Sequence, residues 1–208
     1  MIIETITTGI CATNCYIFGD DSSKEVVIID PADEADKIIS IIEKNNYIVK
    51  YIIITHGHFD HILALKHIKQ KYNVPVAIHK NDAEYLSNNS LNLSSNIPNI
   101  KLESIDADII LNDGDTLALG KYNVEVIHTP GHTHGGICIK ADGVLFSGDT
   151  LFYNSIGRTD FPTGSFDKLE ESIKKLYTLD DKIKVYPGHG GSTTIGYEKQ
   201  SNPYVRGI

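Results

Sequence analysis

The stretch that most narrows the choice of fold is residues 51–61, YIIITHGHFDH. An apolar run of strand composition ends there in three histidines and an aspartate within six positions. On extended backbone His56 and His58 point the same way, because side chains repeat every second residue. Asp60 and His61 fall where a helix is expected to start. The segment thus offers two ligand pairs aimed from slightly different places. One tetrahedral zinc accepts four protein ligands only as a closed structural site.

Three later motifs repeat the arrangement. His132 in TPGHTHGG follows an expected strand at 123–128, Asp149 in LFSGDTLF one at 143–147, and His189 in VYPGHGG one at 183–186. Glycine flanks each, which permits tight turns and leaves room around a site. Ligands on strand-end loops suit a site held at one edge of a sheet. His56, His58, Asp60, His61, His132, Asp149 and His189 are too many for one ion and suit two, with a carboxylate between them.

Apolar runs predict further strands at 2–7, 14–19, 25–30, 50–54, 75–79, 108–111, 116–119, 135–141 and 143–147. A helical stripe runs through Ile38, Ile39, Ile41 and Ile42 after an Asp-Pro start at 30–31. A second runs through Ile62, Leu65, Ile68 and Tyr72. A third, Leu169, Ile173 and Leu176, follows the capping residues Ser165 and Asp167. Residues 80–90 read as a short helix leading into NNSLNLSSNIPN, a polar loop long enough for a lid or rim. Many strands with a few helices between them indicate a layered α/β domain, expected as a single unit over 1–208.

Composition excludes several classes. The formal charge is −8 with scattered Lys and Arg, unlike a nucleic-acid surface with its basic stripe. No apolar run reaches the roughly 18–20 residues of a membrane span, and no secretory signal is visible, so a cytoplasmic protein is expected. Three cysteines cannot all pair; Cys11, Cys15 and Cys138 read as packing residues.

The four motifs, in this order from residue 55 to residue 190, resemble the metallo-β-lactamase superfamily. TPGHT, FSGDTLF, IGRTDFP and TTIGYEKQSNPY resemble in particular its short glyoxalase II-like hydrolases. The resemblance implies a four-layer αββα sandwich with the site at one edge of two sheets. It assigns His56, His58 and His132 to a first metal and Asp60, His61 and His189 to a second. Asp149 and a water or hydroxide would bridge them. The implied activity is thioester hydrolysis by two divalent ions, zinc first, with iron or manganese as alternatives. Such ions bring a shared water's pKa down towards neutrality and polarise the carbonyl. Asp60 is also a candidate for orienting the water. The substrate is expected to be a small molecule, with no nucleic-acid or membrane partner; the oligomeric state is left open.

The aspartate separates the chain from the best-known zinc β-lactamases, in which a cysteine serves the second metal. Classical glyoxalase II enzymes add a basic C-terminal extension, whereas this sequence runs 19 residues past His189. Arg158 is the candidate for gripping a substrate carboxylate, or else a loop-anchoring arginine. The competing readings are an iron persulfide dioxygenase using His56, His132 and Asp149, and a lactone or other ester hydrolase. His128 and His134 read as packing and loop residues, His67 and His79 as surface or strand-end ones. Phe152 and Tyr153 are pocket wall or core.

Overall fold

The computed structural model describes residues 1–98, 100 and 102–205. One sheet contains β1 (Ile2–Thr8), β2 (Thr13–Gly19), β3 (Glu25–Ile29), β4 (Ile48–Ile54), β5 (Val76–His79) and β6 (Ile109–Leu111), in that spatial order. Its first three strands pair antiparallel, and β3 through β6 run parallel. The second sheet is built from β7 (Thr116–Leu119), β8 (Tyr122–His128), β9 (Ile137–Ala141), β10 (Val144–Gly148), β13 (Lys184–Pro187) and β14 (Thr193–Thr194). Its spatial order is β14-β13-β10-β9-β8-β7, with only β10 and β13 parallel. A short hairpin, β11 (Leu151–Phe152) and β12 (Ser155–Ile156), follows β10.

The apolar runs explain the layering. Cys15 and Ile17 of β2, Val26 and Ile28 of β3, and Ile52 and Ile54 of β4 face a core shared with α1 (Ala35–Lys44) and α3 (Leu65–Tyr72). Their alternates Tyr16, Phe18, Val27, Ile29 and Ile53 meet Ile137, Ile139, Val144 and Phe146 of the other sheet in a central core. Cys138 and Leu145 turn the opposite way, onto Leu169, Ile173 and Leu176 of α4 (Phe166–Leu176). Strands buried on both faces read as near-continuous hydrophobic runs. Three cores between four layers are the expected αββα sandwich.

Two helical expectations need correction. The Asp-Pro at 30–31 does not start α1, which begins at Ala35 behind Glu34. Asp30 instead takes φ +50° and turns its carboxylate inward. The stripe from Ile62 to Tyr72 is also not one helix. It divides into α2 (Phe59–Ile62) and α3, and between them the Ala64 N–H donates to the carbonyls of Pro31 and Ala32. Residues 80–90 hold a single 3₁₀ turn, Ala83–Leu86. The expected rim segment folds as loop with another at Ser94–Asn96; Asn99, its last residue, lies outside the described residues. A last helix, α5 (Ile195–Ser201), was not anticipated.

Candidate metal centre

All seven sequence-derived candidates come together where the two sheets meet. The end of β4 delivers His56 and His58, and α2 carries Asp60 and His61. The β8–β9 loop brings His132, the end of β10 Asp149, and the end of β13 His189. Potential ligand atoms form three overlapping groups: His56, His58 and His132; His56, His61 and Asp149; Asp60, His61 and His189. Within each group the atoms lie within 4.8 Å of one another. His58 Nδ1 is 2.9 Å from His132 Nε2. Asp149 reaches His61 Nε2 at 3.4 Å, His189 Nε2 at 3.5 Å and His132 Nε2 at 3.6 Å.

The hydrogen bonds behind these rings determine which nitrogen faces inward. His132 Nδ1 donates to the Arg158 carbonyl at 2.8 Å, and His189 Nδ1 to that of Cys11 at 3.1 Å. His61 Nδ1 donates to Asp30 Oδ2 at 2.9 Å. Thr55 spends its own hydroxyl proton on Asp30 Oδ2, so its oxygen is left to accept from His56 Nδ1 at 3.3 Å. In four rings Nδ1 therefore carries a proton and Nε2 points into the cluster. Outer hydrogen bonds of this kind fix the tautomer and orientation of metal-binding histidines.

The cluster has the marks of a cation site. His56 Nε2, His58 Nε2, His61 Nε2 and Asp149 Oδ1 are buried without a hydrogen-bond partner, an expensive condition for polar atoms that lack a ligand. Imidazole and carboxylate donors suit zinc, iron and manganese. The pKa directions show the same tension between burial and charge. Burial pushes His56 well below the ordinary value and His58 down to about 3. Burial also opposes charge on His61 and His189. The neighbouring carboxylates nonetheless carry His61 well above its ordinary value and His189 up to about 10. Asp60 is held at about 2: burial would raise it, but His61, the His189 hydrogen bond and the Thr13 hydroxyl at 2.8 Å outweigh that. The clusters are consistent with a binuclear metal site.

Several supporting residues escaped sequence reasoning. Asp30 accepts from the Thr55 N–H at 2.7 Å and its hydroxyl at 2.6 Å, as well as from His61. Asp82, fully buried, accepts from Thr133 Oγ1, the Gly135 N–H and the Gly57 N–H at 2.7, 2.6 and 3.2 Å. It thereby ties the His56–His58 turn to the loop bearing His132. A Cβ on Gly135 would stand 2.5 Å from Asp82 N and 2.6 Å from its Oδ1, so the close approach of these two loops requires glycine there. Asn14 Nδ2 donates to the carbonyls of Pro187 and Gly190, and Tyr16 OH to that of Pro187, clamping the His189 turn. An aspartate closing a predicted strand was the available signal for Asp30. Nothing local marks Asn14 or Asp82.

The other histidines stay outside the cluster. His128 stacks on His79 at 4.0 Å and donates to the His134 carbonyl; His67 and His134 are exposed. Cys15 and Cys138 are buried, as expected of packing residues, but Cys11 is exposed and edges the site. A cavity of about 380 Å³ opens over the cluster. Its walls include Phe59, Leu93, Phe152, Ile156 and Phe161, so Leu93 places the expected rim loop at the site. Tyr153 instead stacks outside on Tyr197. Arg158 also lines the cavity, with its guanidinium paired to Asp160 at 2.6 and 2.5 Å.

The profile of the Metallo-beta-lactamase superfamily matches residues 8–189, and the chain belongs to that superfamily. It is 38% identical to the hydroxyacylglutathione hydrolase GloC of Haemophilus influenzae, over 99% of this chain and 98% of that protein. Among solved structures it is similar to the BLEG-1 B3 metallo-beta-lactamase. The TM-score there is 0.94 and the identity 36%, over 99% of this chain and 100% of the other. It is also similar to TTHA1623 in a di-iron-bound form, with TM-score 0.82 and 31% identity over 97% and 99% of the two chains.

Proposed function

We propose that the chain is a binuclear metal-dependent hydrolase of thioesters, with zinc as the first choice of metal. His56, His58 and His132 would hold one ion, Asp60, His61 and His189 the other, and Asp149 both. Bound there, the ions would supply an activated water and polarise the acyl carbonyl. The observation that carries the reading is the convergence of seven His and Asp side chains, of which His58, Asp60, His132, Asp149 and His189 line one cavity. The similarity to GloC supports the substrate class.

The cavity's own chemistry favours a thiol leaving group. Outside the cluster, its only titratable lining residues among those described are Cys11 and Arg158. Neither suits proton donation: burial, with Asp60, raises the Cys11 thiol, and Asp160 raises the Arg158 guanidinium. A thiolate, with a parent pKa of roughly 8.5, departs with little protonation, whereas an amine or alkoxide needs a proton delivered. Asp60, whose Oδ2 accepts from the Thr13 hydroxyl, would orient the attacking water.

The test pairs metal analysis of the purified protein with a panel of thioesters, lactones, a β-lactam and a persulfide. Two ions per chain and metal-dependent thiol release are expected. One iron per chain, with oxygen consumed on the persulfide, would replace this reading with the dioxygenase one.

A further inference from the structure

The cavity over the cluster has an unusual charge balance for a site meant to grip an anionic thiol such as glutathione. Among the described residues, Arg158 is the one lysine or arginine that lines it. Both Nε and Nη2 of that guanidinium are already bound, to Oδ1 and Oδ2 of Asp160. Its plane also rests 4.1 Å above the Phe161 ring. The segment beneath the pair is fixed: the Arg158 carbonyl holds His132 Nδ1, and the Gly157 N–H donates to Thr150. Around this neutral pair the walls are apolar. Phe161 lies 5.5 Å from the His58 ring, and Phe152 lies 6.1 Å from that of His189 on the opposite side.

Resting on the thioesterase reading, we propose that this pocket selects thioesters whose leaving thiol is apolar and uncharged next to sulfur, and that Asp160 sets the preference by neutralising Arg158. In the reaction a water oxygen bonds to the acyl carbon and the C–S bond breaks with its electron pair going to sulfur. Carboxylate, thiol and one proton result. A glutathionyl group brings two carboxylates and one ammonium into the cavity as the leaving side. A substrate carboxylate reaching the remaining N–H groups of Arg158 would meet a charge that Asp160 already offsets. The chain's charge of −8 adds no attraction for an anion. Aromatic and aliphatic walls instead reward an apolar thiol by removing its surface from water.

The experiment uses metal-loaded protein of verified metal content and two thioesters with the same lactoyl group, one on glutathione and one on benzyl mercaptan. Thiol release gives kcat/KM for each. The wild type should favour the benzyl thioester by about tenfold or more, the scale of one charge-assisted contact that the glutathione ester forgoes. Asp160 is exposed, so Asp160→Asn should fold normally. It should raise kcat/KM for the glutathione thioester about tenfold through KM, because the guanidinium is released for a charge-assisted bond, and leave the benzyl ester nearly unchanged. Adding Arg158→Ala should erase that gain. A wild-type preference for the glutathione thioester that Arg158→Ala abolishes would overturn the proposal, as would an Asp160→Asn variant with an unaltered ratio. If neither ester is hydrolysed by fully loaded protein, the thioesterase reading itself fails, and this selectivity with it.

Discussion

At the scale of single residues, the cluster is a set of lone pairs aimed by bonds made behind them. Asp149 faces three of the histidines, so Asp149→Ala should lose metal and turnover together. Its metal affinity should fall at least as far as the roughly 10–100-fold typical of losing an outer partner. Metal content after dialysis, measured beside activity, checks this, and two retained ions with full turnover would refute the assignment. Asp30→Asn tests the outer layer. The carboxylate serves Thr55 and His61 at once, so competition with a chromophoric chelator should show a loss of roughly 10–100-fold. Proton linkage supplies a third test. In metal-free protein the carboxylates overcome burial to keep His61 well above its ordinary pKa and His189 at about 10. Both rings therefore hold a proton more tightly than a free histidine does, and a bound ion must displace it. Metal affinity should therefore fall as pH falls. Calorimetric titration in buffers of different ionisation enthalpy should report protons released on binding; none released would mean the rings were already neutral.

At the scale of elements, the loops matter as pairs. Asp82 accepts from both metal-bearing loops and leaves no space beside Gly135, so Gly135→Ala should push them apart. The expected cost is roughly 1–3 kcal/mol, the usual range for overpacking, read by denaturant unfolding together with weakened metal binding. The stacked pair His79 and His128 joins the ends of β5 and β8. Burial, with His128 and Lys80 nearby, lowers His79 from 6.5 to about 4. Between those values the unfolded chain binds a proton that the folded chain refuses. Stability linked to His79 is thus fully present above pH 6.5 and lost as pH falls towards 4. His79→Gln should flatten that part of the stability–pH curve relative to wild type; an identical slope would show that His79 does not titrate there.

The same elements show what the sequence could carry. All eleven predicted strands are present; the central ones, such as β3 and β10, are sandwiched between two cores and so read as continuous apolar runs. The hairpin Leu151–Phe152 with Ser155–Ile156, and the strand Thr193–Thr194, have two residues per strand, too few for any periodicity to emerge. The break between α2 and α3 was hidden for a different reason. Ile62, Leu65 and Ile68 keep a helical spacing, while the interruption is imposed by bonds from Ala64 to a distant loop. Ligands were legible because glycine and histidine cluster at strand ends. Their supports were not, since Asp82 and Asn14 earn their place only through partners far along the chain.

At the scale of the whole molecule, the cluster joins the two sheets. The first supplies His56, His58, Asp60 and His61 from β4 onwards, and the second supplies His132, Asp149 and His189. Ions bound there favour the folded state by mass action, about 4 kcal/mol when free metal is 1,000-fold above Kd. Removing them with a chelator should lower Tm by roughly 10 °C for a domain of this size. A melt that ignores the chelator would mean that the sheets hold together without the centre.

Asn14, near one end of the sequence, grips the Pro187 carbonyl 173 positions later. The turn carrying His189 can therefore be seated only once the ribosome has released Pro187, 173 positions after Asn14. Until then the emerging polypeptide holds His56, His58, Asp60 and His61 without their late partners. Hydrolytic competence thus waits on this long-range closure, and a product truncated before it is kept from acting as a half-built catalyst.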